Sequence, residues 1–184
     1  MLASGLAATG SLRRIRGGAN HYQPTVTDKD GHRRATVGWE CVHIAIDDHS
    51  RLVYAEVLPD KTAATAVAFL RRALRFFARY GIVVERILTD NGSAYRATTH
   101  ALVCRALGVR HIRTRPRRPQ TNGKAERFIR TLINGWAYGA VYASSAERTH
   151  ALDGWLWHYN HRRRHSALGH RPPVSRTNLL GSYS

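Results

Sequence analysis

At 184 residues, with 43% hydrophobic side chains, the chain is long enough to bury one core and short for two full domains. It carries 29 Lys and Arg against 12 Asp and Glu, a formal charge of +17, which excludes an acidic scaffold and points to a polyanion as partner. Cys41 and Cys104 are the only cysteines, too few for a disulfide framework or a cysteine zinc site, and no run approaches the roughly 18 apolar residues of a membrane helix.

Residues 1–18 begin with small residues and end in a basic stretch, Leu12-Arg13-Arg14-Ile15-Arg16. Without clear periodicity they hold a short strand at best. Residues 19–37 mix Pro24, Gly31, Arg33 and Arg34 and read as a long basic loop. From Trp39 the pattern sharpens. Val42, Ile44 and Ile46 alternate with His43 and Ala45, Asp47-Asp48-His49-Ser50 turns, and residues 51–58 run back, predicting a hairpin. Both cysteines fall in apolar patterns and are expected to be reduced core thiols.

Val67, Leu70, Leu74 and Phe77 recur at helical spacing over residues 62–80, closed by Gly81. Arg71, Arg72, Arg75 and Arg79 lie on or beside the polar side, as a solvated face in the simplest reading and a DNA contact in the other. Residues 82–89 read as an inner strand, 98–107 as a helix stopped by Gly108, and 109–114 as a further strand. A hairpin followed by alternating helices and strands predicts an α/β fold, a mixed sheet with helices on its faces.

Arg115-Pro-Arg-Arg-Pro-Gln-Thr-Asn-Gly123 is a loop, since two prolines and a glycine suit neither ladder nor helix. Residues 124–142 follow as a helix with Phe128, Leu132, Trp136 and Ala140 as its core stripe; Glu126 sits about 200° round from Phe128 and faces away. Ser144-x-x-Glu147 is a capping-box pattern opening a last helix with Leu152, Leu156 and Tyr159 on its apolar side. The tail is basic and His-rich.

Asp90 closes an inner strand, where ligands of open α/β sheets gather. It could equally cap the turn made by Asn91 and Gly92. Glu126, at the start of a helix entered from Arg115, Arg117, Arg118 and Lys124, adds a second acid beside cationic groups, the arrangement of metal-assisted phosphoryl chemistry. His158, His161, His165 and His170 could suggest zinc but have no cysteine or acid spaced with them. Trp136, Trp155, Trp157 and Tyr159 could stack on bases, yet at helical spacing beside Leu they read more simply as core.

Thr89-Asp90-Asn91-Gly92-Ser93, the 35 residues between Asp90 and Glu126, and Pro119-Gln120-Thr121-Asn122-Gly123-Lys124-Ala125-Glu126-Arg127 resemble the integrase core shared by retroviral integrases and bacterial insertion-sequence transposases. So do Asp48-His49-Ser50-Arg51 and the stretch from Tyr159-Asn160 through His165-Ser166-Ala167-Leu168-Gly169 to Pro172. The resemblance covers residues 39–173. It implies a ribonuclease-H-like fold, a mixed five-stranded sheet flanked by helices with an incomplete first strand, and DNA cleavage and strand transfer by two Mg²⁺ or Mn²⁺ ions on an Asp, Asp, Glu triad. Asp90 and Glu126 match the second and third members, as catalytic residues and metal ligands. Arg115, Arg117, Arg118, Gln120, Asn122, Lys124, Arg127 and Arg130 would bind DNA.

The resemblance further implies a bacterial, nucleoid-associated cytoplasmic protein that forms homo-oligomers when active, with residues 1–38 as a degenerate first strand and loop, 39–143 as the catalytic core and 144–184 as its C-terminal helix and tail. The pattern departs at the first Asp. Aligning the basic stretch puts that acid near Ala8, and no carboxylate occurs before Asp28. Asp28 and Asp30 fall in the loop, and Asp47 and Asp48 at the hairpin turn, away from the required position. The expectation is a truncated or decayed core with impaired turnover. The alternative is a catalytically inactive basic DNA-binding fragment that interferes with an intact transposase, and a third reading is a ribonuclease acting on RNA duplexes.

Overall fold

A computed structural model describes residues 2–13, 25–27, 31, 33–35, 39–114 and 123–177, with side chains at 31, 40–114 and 126–177. The sheet is built around β1 (Leu2–Arg13), a strand of 12 residues. It pairs antiparallel with β4 (Trp39–Asp47) and parallel with β6 (Val83–Thr89). The expectation of a short strand at best in this region is therefore corrected. Leu2-Ala-Ser-Gly-Leu-Ala-Ala-Thr-Gly is poor in the β-branched and aromatic residues that announce a strand. Ladders on both sides supply what local preference does not.

β5 (Val53–Leu58) lies outside β4, and β7 (Arg110–Arg113) outside β6, giving the order β5-β4-β1-β6-β7. In the stretch expected to be loop, β2 (Thr25–Thr27) and β3 (Arg33–Ala35) form a separate small antiparallel pair.

The alternation in β4 assigns the two faces. Val42, Ile44 and Ile46 join Phe128, Leu132, Trp136, Leu152, Leu156 and Tyr159, which belong to α4 (Gly123–Leu132), the π-helical turn Ile133–Ala137 and α5 (Ser145–His161). Ala45 packs the other way with Phe69, Ala73 and Phe77 of α1 (Ala63–Arg79). Ile87 packs on that same side with Leu70 and with Cys104 of α3 (Thr98–Ala106), which follows a one-turn α2 (Ser93–Arg96). The sheet is thus covered on both faces, which explains why β4 is buried from Cys41 to Asp47. Both cysteines are buried free thiols, as expected.

Side-chain caps set the helix ends. Thr62 Oγ1 accepts from Thr65 N–H at α1, and Ser144 Oγ accepts from Glu147 N–H while Glu147 reaches back to Ala143 N–H at α5. Arg71, Arg75 and Arg79 are exposed, whereas Arg72 forks onto Glu56 at 2.5 and 2.7 Å. The fourth helix ends earlier than its periodicity predicts. Its last turn widens to π geometry, keeping Trp136 buried but leaving Ala140 exposed and outside the core stripe. Gly135 within this turn lets Trp155 pack closely, because a Cβ there would lie 3.1 Å from Trp155 Nε1.

Two polar devices tie α5 to the sheet. The Asn160 carboxamide accepts from Val53 N–H and donates to Val53 C=O, at 2.9 and 2.8 Å, and so pairs the outer side of β5 as another strand would. Arg148, 1% exposed, donates to Glu40 at 2.7 Å, and its backbone carbonyl accepts from Trp136 Nε1–H.

Buried His43 donates through Nε2–H to the Asp60 carbonyl oxygen, 2.8 Å away, and packs against Phe69. Burial lowers its pKa below the usual imidazole value, opposed by the contact with the Asp60 backbone. The unfolded chain takes up a proton near pH 6.5 that the folded chain refuses, so stability is full above about pH 6.5 and falls as pH drops below it. His100, His111 and His165 are lowered in the same direction. Urea midpoints measured at about pH 7.5 and about pH 5 should show the loss, and His43→Phe should shrink the difference. An unchanged difference would remove His43 from the account.

Candidate active site at the end of the central strands

Thr89 is the last residue of β6 and pairs with Ala7 on one side and Arg113 on the other. Asp90 follows at once and is half-buried. The turn beyond it is tightly tied: Asp90 Oδ1 accepts from Gly92 N–H at 2.8 Å, and Asn91 Nδ2 donates to Thr114 O at 2.8 Å. A Cβ at residue 92 would stand 2.9 Å from Asp90 Oδ1, so glycine is required for that approach. Asp90 therefore caps its turn. That use of Oδ1 orients the carboxylate and does not remove it from other chemistry.

Leu88, two residues before Asp90, packs into the cluster under α4 and α5. Phe128, two residues after Glu126, belongs to the same cluster and is buried. Glu126 lies in the first turn of α4 and is exposed, as its angle from Phe128 predicts. Strand and helix are thus pinned by one apolar cluster, each with an acid two residues from its anchor.

Position 8 belongs to the same edge. The register aligns Ala7 with Thr89 and Ala8 with Ile44, so residue 8 comes one step along β1 at the level of Asp90. Ile44 packs under α4 and α5, and strand alternation gives position 8 that same face. An alanine stands there.

Asp47 lies three residues back along β1 from position 8: it pairs with Gly5, level with Ile87, and its Oδ2 is held by Ser50 N–H and Ser50 Oγ–H at 2.7 and 2.6 Å. Asp48 pairs with Arg51 at 3.1 Å. Both serve the hairpin turn and neither reaches the Asp90 edge.

Arg127 and Arg130 are exposed on α4. Arg115, Arg117, Arg118, Gln120 and Asn122 lie outside the described residues, as do Asp28 and Asp30, and of Lys124 only its place in α4 is described. Of the aromatic residues read as core or stacking, Trp136 and Tyr159 are buried and Trp155 packs against them. Trp157 is 53% exposed, stacked on His161 with Arg162 over its ring.

Among the described residues, the His-rich tail forms no metal-holding group. One does occur where the sequence reading missed it, at His100, Cys104 and His111. Its signal was the spacing of His100 and Cys104, one turn apart on one helix face. Among the described residues, no helix is long and apolar enough to cross a membrane.

Two family models, both described as Integrase core domain, match residues 25–119 and 107–173. The transposase InsD for insertion element IS2A/D/F/H/I/K of Escherichia coli is 37% identical over 86 residues, 47% of this chain and 29% of that protein. The chain spans well under half the length of the curated relatives it matches. The catalytic core domain of BIV integrase shares the fold at a TM-score of 0.60 with 21% identity, covering 96% of this chain and 94% of that one. The HTLV-2 integrase catalytic core domain, solved in complex with magnesium, aligns at 0.58 with 16% identity, covering 90% and 91%.

Proposed function

We propose, for a chain that belongs to the integrase core domain family, that it is the catalytic core of an insertion-sequence transposase in which Asp90 and Glu126 survive and the first acid has been replaced by Ala8. The observation that carries this reading is the register of β1 against β6, which brings position 8 level with Asp90 on the face covered by the helix bearing Glu126.

The donor set suits a hard divalent cation such as Mg²⁺ or Mn²⁺, since both residues offer carboxylate oxygens. When bound in pairs, such ions activate the attacking oxygen and stabilise the leaving oxygen of an in-line displacement. Asp90 and Glu126 would hold them from the strand end and the helix start, with the turn at Gly92 fixing the Asp90 carboxylate. A carboxylate at position 8 would stand level with Asp90 on the neighbouring strand, so its absence leaves the set open on that side. Two acids without their linking partner should bind the ions weakly, and turnover should be low.

DNA is the polyanion the charge of +17 fits. Arg115, Arg117, Arg118, Gln120, Asn122, Lys124, Arg127 and Arg130 are proposed to grip its backbone, and active assemblies to be homo-oligomers in the bacterial nucleoid. The second reading, a DNA-binding fragment without catalysis, is favoured by Ala8 alone.

A single experiment tests both. Binding of a labelled duplex should weaken by on the order of 10³-fold between about 50 mM and about 200 mM salt if several phosphates are contacted. Residual cleavage with Mn²⁺ should vanish in Asp90→Asn and Glu126→Gln while binding persists. Salt-insensitive binding would sink the DNA reading, and equal cleavage in all three chains would sink the assignment of the two acids. Cutting of an RNA duplex in place of DNA would favour the ribonuclease.

A further inference from the structure

On the opposite face of β6 from α4, three side chains with nitrogen or sulfur donors converge in an otherwise apolar region of Leu70, Ile87 and Val109. His100 and Cys104 are one turn apart on α3, each 1% exposed, and His111 projects from β7. One donor atom from each lies within 4.8 Å of the others. We propose that His100, Cys104 and His111 form a binding site for a zinc-type divalent metal, tying α3 to β7 behind the strand that ends in Asp90.

The geometry fits such an ion closely. With Zn–N near 2.0–2.1 Å and Zn–S near 2.3 Å, two ligands on a tetrahedral centre stand roughly 3.5 Å apart. Cys104 Sγ and His100 Nδ1 are already 3.6 Å apart, and the His100 and His111 ring centroids are 4.8 Å apart. Small rotations of His111 complete the approach.

The partner of His111 fixes its tautomer. Thr89 Oγ1 donates its one hydrogen to Asp90 O at 3.0 Å, so at its 2.9 Å contact with His111 Nε2 it must accept. Nε2 then carries the proton and Nδ1 keeps its lone pair for a metal. A histidine ligand oriented by a hydrogen bond from its other nitrogen is the usual arrangement of protein metal sites.

The simpler reading is a buried His–Cys contact that only fills space. It leaves unexplained why two imidazoles and a thiol meet where apolar side chains would pack without desolvation cost. Burial holds the His100 pKa down at about 4, so its imidazole stays neutral, and pushes the Cys104 thiol up to about 11. Metal binding therefore displaces the thiol proton to solvent, and Cys104 is not poised as a free nucleophile.

The donor set selects the metal. One sulfur and two imidazole nitrogens suit zinc or cobalt, whereas magnesium and calcium require oxygens. This site is thus chemically separate from Asp90 and Glu126 and rests on no assignment of those acids. A cleft lined by Cys104 and His111 together with Arg96, Arg105, Arg110 and Arg113 adjoins the group. Through His111 and Thr89 the ion would brace the turn that presents Asp90.

Cobalt(II) titration of the full metal-free chain tests the proposal, because thiolate-to-cobalt charge transfer and intense d–d bands report a tetrahedral site with sulfur. The expected result is saturation at about one equivalent. The bands should disappear on adding Zn²⁺, and affinity should fall at least about 10-fold in Cys104→Ser and His111→Gln. Cys41→Ser and Asp90→Asn should leave the bands unchanged. X-ray absorption of the zinc-loaded natural chain, which needs no variant to fold, should show one sulfur among its ligands. Absence of the thiolate band in the natural chain, its survival in Cys104→Ser, or an all-oxygen and nitrogen zinc shell would each overturn the proposal.

Discussion

Ala8→Asp is expected to raise metal-dependent DNA strand cleavage by at least about 100-fold over the natural chain, and to tighten Mn²⁺ binding in parallel. The expectation follows from the sheet. β1 runs between β4 and β6, and its register sets residue 8 level with Asp90. A carboxylate introduced there stands level with Asp90 on the face covered by α4, and each added oxygen donor strengthens the hold on a hard cation. Ala8→Asn supplies similar volume and a neutral oxygen, so it should recover little. An Asp in a central strand costs stability when no cation is bound. Mn²⁺ should therefore stabilise the Ala8→Asp chain against heat far more than it stabilises the natural one. Cleavage by Ala8→Asp no better than by Ala8→Asn would show that position 8 is not where the missing acid belongs.

Removing Arg148 should have the largest effect on stability. Its guanidinium is 1% exposed and donates to Glu40, 12% exposed, at the start of β4. The pair fastens α5 to the sheet. Arg148→Ala leaves the Glu40 carboxylate in a mostly water-excluded place without its cation, and breaking one side of a buried pair costs about 3–5 kcal/mol. At roughly 2–4 °C per kcal/mol for a chain of this size, the melting temperature should fall by about 6–20 °C. Glu40→Leu in the same chain should restore much of the loss, because it removes the stranded charge. A loss below about 1 kcal/mol in Arg148→Ala would mean that water reaches Glu40 freely.

The two substitutions probe parts of the fold that the sequence announces to different degrees. The β4–β5 hairpin is legible because alternation is strict and the turn is marked by Asp47 to Ser50. The helices α1 and α5 are legible because Thr62 and Ser144 cap them and apolar residues repeat at helical spacing. Asp90 is legible as an acid at the end of an inner strand, and Glu126 as one opposite a core stripe. β1 is not. Its small residues carry little strand preference, and only its pairing with β4 and β6 makes it a strand, which is long-range information. The end of the fourth helix is hidden for a related reason. Periodicity carries the stripe on to Ala140, whereas a π-helical turn at Ile133–Ala137, where Trp155 packs closely on Gly135, comes first.

The His100, Cys104 and His111 group escaped for a different reason. Two of its members share a helix face and could be paired from spacing alone, but the third comes from β7 and meets them only through the sheet. The histidines of the tail cluster in sequence without a cysteine or acid spaced with them, and the sequence places metal at Asp90 and Glu126 instead. In the structure His161 is engaged with Tyr80 and Trp157, and His165 packs on Tyr159. Clustering along the chain is a weaker guide to a metal site than convergence across elements.

Asp90 and Glu126 are proposed as two parts of a metal site whose third part is position 8. This is tested most directly by counting Mn²⁺ bound per chain, by electron paramagnetic resonance, in Ala8→Asp and in the same chain carrying Asp90→Asn or Glu126→Gln. About two ions are expected in Ala8→Asp and fewer in each double variant. Equal occupancy in all three chains would contradict it.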